Sequence, residues 1–279
     1  MSEFDSIVIG GSAVPALVVT MLLMAAVPAS FFLYWRMKHK QQTRISWLLA
    51  GALGFIISAR VLELGLHYFC IIADNPVSRF INGNTAAFVL YGTAAAGVFE
   101  ECGRHIVIKY IMKKDRTREN AVLYGIGHGG IEILAVLLPG IITGLAVAVL
   151  FSSGDRGEAL RALNITEETA AAALPSVRAA ASFDWGTAAM NMLERVFAML
   201  MHIGLTVIVW YGVAGQKRWP LPLAIGLHML MDTFPALYQR GLLPLWSVEV
   251  WVAFWTAAVL FIAAKLYRKR LSPESNRTQ

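Results

Sequence analysis

Four stretches of this 279-residue chain set carboxylates beside imidazole or guanidinium groups inside otherwise apolar runs. They read Phe99-Glu100-Glu101-Cys102-Gly103-Arg104-His105, Gly125-Ile126-Gly127-His128-Gly129-Gly130-Ile131-Glu132, Glu194-Arg195 with the later His202, and His228-Met229-Leu230-Met231-Asp232. In a helix, residues four apart share a face, which joins His128 to Glu132 and His228 to Asp232. Glu100 and Glu101 precede Arg104 by four and three residues, so one carboxylate can pair with the guanidinium while the other stays free. Imidazole and carboxylate groups converging from facing helices make a zinc site, and three protein ligands leave a place for water. A further glutamate beside that water supplies the general base of metal-assisted hydrolysis. His105 and His67 read as hydrogen-bonding core residues, with Glu63 placed to pair locally with His67 and Arg60.

The elements that must hold these groups follow from composition. The chain is 57% apolar and 15% charged, against about 45–50% and roughly 25% in soluble domains. A soluble globular enzyme is excluded, and so are a disordered chain and a disulfide scaffold, since aromatics are plentiful and only Cys70 and Cys102 are present. Their different depths argue against a disulfide. The fold class expected is all-α, a polytopic membrane protein forming a single integral membrane domain. Seven stretches have the roughly 20 mostly apolar residues that a spanning helix needs: 7–35, 45–72, 85–112, 120–151, 187–214, 219–238 and 244–265. The N-terminal Ser-Glu-Phe-Asp lacks the basic region of a cleaved signal peptide.

Sixteen of the 24 Lys and Arg residues follow the first, third, fifth and seventh stretches, five fall on the other side, and three lie within spans. By the positive-inside rule the N-terminus is outside and the C-terminus inside. The net charge of +6 is therefore an orientation signal beside membrane lipid and no indication of a nucleic-acid partner. The outer loop 152–186 is alanine-rich, with a short helix expected over Glu158–Thr169. At about 1.5 Å per residue, Glu100 lies roughly 13 Å from the cytoplasmic face, His128 roughly 12 Å and His228 roughly 15 Å. By the same rise Glu132 lies roughly 18 Å, Asp232 roughly 21 Å and His202 roughly 22 Å deep, so these groups can converge on one site. Glycines 125, 127, 129 and 130 would let a neighbouring helix or an extended peptide approach closely.

These motifs resemble the CAAX-protease and PrsW membrane-peptidase superfamily, which has adjacent glutamates with a basic residue, a His or Glu motif, and a late His-x-x-x-Asp or Asn. They are more similar to the bacterial YhfC family of intramembrane metalloproteases, from the third span through the sixth. The Glu-Glu-x-x-Arg spacing is closer to the PrsW pattern than to the longer CAAX one, and His128 stands where the superfamily usually has Phe. The resemblance implies that Glu100 and Glu101 activate water, with Arg104 orienting the pair. It also implies that Glu132, His202 and His228 hold zinc, with His128 and Asp232 supporting. The substrate implied is a peptide or membrane protein, cut in the cytoplasmic half of a bacterial inner membrane. The alternative from a different class is a non-catalytic scaffold or proton-coupled transporter that uses the same buried carboxylates.

Overall fold

A computed structural model of the chain describes residues 2–269; Arg270 and Arg277, counted above with the inner basic residues, lie outside the described residues. Among the described residues the structure is helical throughout, with no strand. Seven long helices carry it, close to the seven stretches expected. We label them α1 (Ala13–Lys38), α2 (Ile45–Ile72), α3 (Thr85–Ile106, continued by a π-helical turn over Val107–Ile111), α4 (Arg118–Ser152), α5 (Trp185–Ala214), α6 (Pro220–Gln239) and α7 (Leu245–Arg268). Five of them, α1, α2, α4, α5 and α7, are long and apolar enough to cross a membrane. The two that fall short in apolarity are α3, which carries Glu100, Glu101 and Arg104, and α6, which carries His228 and Asp232. A helix that gives its polar side chains to an interior site loses that share of its apolar composition.

Local signals explain the ends. Asn84 caps α3 by accepting from the Ala87 amide at 3.0 Å. Asn75 and Ser78 form a capping box at the start of the short helix Pro76–Gly83, which has proline in its first turn. The loop 152–186 departs from the expectation of one short helix. It forms two, Arg156–Ala162 and Glu167–Ala181, parted where Asn164 takes a left-handed conformation (φ 53°) and Thr166 caps the second helix through a box with Thr169. Asn tolerates that conformation better than most residues, and the cap restarts the helix at once.

The chain forms two compact units, Met1–Val27 with Ile133–Arg195, and Pro28–Glu132 with Val196–Gln279. In the first unit, Phe4, Ile7, Val147, Phe151, Leu174 and Val177 form an apolar core, and Glu194 and Arg195 form an ion pair within α5. The second unit has a larger core that includes Trp47, Tyr124, Leu205, Trp210 and Val259. Glycine brings its helices into direct backbone contact. A Cβ on Gly127 would run into the Leu48 carbonyl of α2, and one on Gly51 into the Tyr124 carbonyl of α4. On the other side of α4, a Cβ on Gly125 would stand 2.7 Å from the Ile203 Cα of α5. The glycines of α4 thus serve close approach of neighbouring helices. Met199, Met201 and Met231 are buried in the same way as ordinary core residues.

Candidate metal centre

The close seating of α4 between α2 and α5 fixes His128 with no solvent exposure. The Phe55 ring meets it edge-on with centroids 5.1 Å apart, and Tyr124, one turn earlier on α4, lies 6.2 Å away. From α3, Glu100 Oε2 stands 2.9 Å from His128 Nε2. From α5, His202 lies with its ring 4.9 Å from that of His128, and its Nδ1 is 4.0 Å from Glu100 Oε2. One donor atom each from Glu100, His128 and His202 therefore lies within 4.8 Å of the others, and all three side chains are buried. Among the described residues this is the group with metal-site spacing.

The second glutamate of α3 has a different environment. Arg104 Nη1 reaches both oxygens of Glu101 at 2.9 Å, and neither side chain has any exposure. Glu101 Oε1 also accepts from His228 Nδ1 at 2.9 Å. The internally paired carboxylate is thus Glu101, and Glu100 is the one left for the imidazoles. His228 Nε2 faces Asp232 Oδ2 at 3.5 Å, which places this histidine between two carboxylates and outside the three-residue group. Its ring lies 5.8 Å from that of His202.

Hydrogen bonding fixes the tautomer of His202. Arg104 Nη2 lies 3.2 Å from His202 Nδ1, and a guanidinium only donates, so Nδ1 accepts. The ring proton is then on Nε2, which donates to Glu132 Oε2 at 2.6 Å. A carboxylate on the far nitrogen is how proteins commonly orient a metal-binding imidazole. Among the described residues His128 Nδ1 is buried without a hydrogen-bond partner, so this ring is held by Glu100 and by its aromatic neighbours. A buried Glu/His/His set with one unprotonated nitrogen suits a divalent transition metal that takes both nitrogen and oxygen ligands.

The structure brings together all eight residues singled out in the sequence: Glu100, Glu101, Arg104, His128, Glu132, His202, His228 and Asp232. It distributes them differently from the resemblance. His128 and Glu100 join His202 in the group with metal spacing, whereas Glu132 contacts His202 from behind and His228 belongs with Glu101. The His128-x-x-x-Glu132 spacing carried that signal, but it did not say which member faced inward. Phe55 and Tyr124, which wall the His128 ring, were not distinguishable from ordinary core aromatics. Glu63 and His67 form the local pair expected, at 3.2 Å, and His67 Nδ1 also meets the Tyr91 hydroxyl at 2.8 Å. His67, Tyr91 and Asp232 line a cavity of about 440 Å³, so Asp232 borders both the site and open space.

A family model described as YhfC intramembrane metalloprotease matches residues 22–252. The chain belongs to that family. It is also 28% identical over 247 residues to the membrane protein YhfC of Bacillus subtilis (strain 168), which is described as uncharacterized; the match spans 86% of this chain and 91% of the relative. No solved structure matches. All the residues of the site fall within the matched segment. With its long apolar helices and this membership, the chain is a multi-pass membrane protein of an intramembrane metalloprotease family.

Proposed function

We propose that the protein is an intramembrane zinc metalloprotease that hydrolyses a peptide bond of a membrane-embedded substrate in the cytoplasmic half of a bacterial inner membrane. The observation that carries this reading is the buried trio Glu100, His128 and His202, one donor from each of three helices. In this reading those three side chains hold the ion. His202 offers Nδ1 by releasing Arg104 Nη2, while the same guanidinium keeps both of its bonds to Glu101 through Nη1. Bound zinc would supply Lewis acidity toward a carbonyl and lower the pKa of water.

The remaining carboxylates divide by access. Glu101 is saturated by Arg104 and His228, so it serves as a positioning residue that anchors the guanidinium and α6. Glu132 keeps 24% side-chain exposure and touches His202 directly. We assign to it the proton taken from the attacking water and returned to the leaving amine nitrogen, with orientation of the His202 ring as its second role. The test is cleavage of a reconstituted single-span substrate by Glu132→Gln beside the parent protein, with metal content measured on both. The expected result is loss of at least about a hundredfold in rate with metal retained. Full cleavage by Glu132→Gln would overturn its assignment as base. A folded parent protein that cleaves nothing and binds no metal would favour the scaffold or transporter.

A further inference from the structure

Beyond the metal centre, α3 borders a second polar feature. One residue past Arg104, His105 faces a cleft of about 550 Å³ whose lining also includes Lys109, Arg116, Gln216, Lys217 and Arg218. No carboxylate is among the described residues that line it. Of the acids on the α3–α4 connection and the start of α4, Asp115 pairs with Arg44 at 2.9 Å and Glu119 with Arg118 at 3.0 Å. Five groups that are cationic or can become so therefore converge on one concavity.

The cleft is built by specific hydrogen bonds. Trp210 Nε1 donates to the Arg116 carbonyl at 2.8 Å, and Arg116 Nη2 donates to the Lys109 carbonyl at 2.6 Å. These bonds pin the α3–α4 connection over the end of α5. On the opposite wall, α5 closes as the Lys217 amide donates to the Gly212 carbonyl at 2.8 Å, with Gln216 in the left-handed region (φ 51°). That turn projects Lys217 and Arg218 past the helix end. Exposed Tyr110 and Trp219 occur at the same helix ends, the residue types that favour the membrane–water interface. These ends are also the ones that the positive-inside count assigns to the cytoplasm.

We propose that this cleft binds a phosphate group, with an anionic phospholipid headgroup and free phosphate as its two sources. Arginine grips phosphate oxygens through a planar fork, and lysine supplies a compact charge beside it. Basic pockets between spanning helices on the cytoplasmic side suit such headgroups. The pocket is separate from the metal trio, so it stands or falls apart from the protease reading.

The test titrates purified full-length protein in neutral micelles, following tryptophan fluorescence. One arm adds phosphatidylglycerol against a phosphatidylcholine control, and the other adds inorganic phosphate. Lys217 and Arg218 are exposed, so Lys217→Gln/Arg218→Gln should fold, which thermal unfolding checks. Expected is saturable binding in at least one arm, which identifies the source. It should be about thirtyfold weaker in the double variant, from the contribution of two basic groups near a charged surface. Lys38→Gln/Lys40→Gln, which removes basic charge elsewhere, should bind like the parent. Saturation in neither arm, or equal binding by Lys217→Gln/Arg218→Gln, would overturn the proposal.

Discussion

At the scale of single residues, the two adjacent glutamates of α3 have different partners although they differ by one position. Glu101 has no exposure and receives three bonds, two from Arg104 and one from His228. Glu100 receives none from a guanidinium and faces His128. Removing one member of a buried ion pair leaves the other charge uncompensated, at a cost of about 3–5 kcal/mol. Glu101→Gln should therefore lower thermal stability in detergent strongly, and Glu101→Gln/Arg104→Met should recover much of that loss. A double variant no more stable than Glu101→Gln would show that the pair is not what holds α3 in place. The pairing of a carboxylate with Arg104 was legible in the sequence, because residues three and four apart meet on a helix. Which carboxylate it would be was not, because both spacings are permitted and the choice depends on where α4 and α6 present His128 and His228.

At the scale of elements, α4 is positioned by the absence of side chains. Gly127 faces the Leu48 carbonyl of α2 and Gly125 the Ile203 Cα of α5, so α4 fits between its neighbours only if both positions lack a Cβ. Overpacking a core costs about 1–3 kcal/mol, and here the obstacle is backbone, which cannot rotate away. Gly127→Ala should lower the unfolding temperature and displace His128, one residue along. Gly65 in α2 has nothing within 4 Å of its would-be Cβ, so Gly65→Ala should be neutral or stabilising on helix propensity. Equal behaviour of the two variants would refute the role given to Gly127. The glycine run was visible as a sign of close approach, yet a neighbouring helix and an extended peptide were equally consistent with it. The choice between them required the neighbours' backbones. The same limit applied to the 152–186 loop, where the break at Asn164 depends on one backbone conformation and on the capping box between Thr166 and Thr169.

At the scale of the whole molecule, apolar composition sets the class, and the few buried charges within it mark the site. Seven helical stretches were legible to within several residues because the apolar runs are long and their boundaries are charged or capped. α3 and α6 were the least apolar of the seven, and they carry five of the eight site residues. The ligand grouping was less legible, since a resemblance can carry motif positions across but not the rotation of each helix about its axis. In this structure that rotation turns His128 inward and sets Glu132 behind His202. In the proposed function Glu100, His128 and His202 together hold one zinc ion. Elemental analysis of the purified, folded parent protein beside His128→Ala and His228→Ala tests that proposal. About one zinc per parent chain is expected, lost in His128→Ala and retained in His228→Ala. A folded parent protein free of metal, or zinc kept by His128→Ala and lost from His228→Ala, would contradict it.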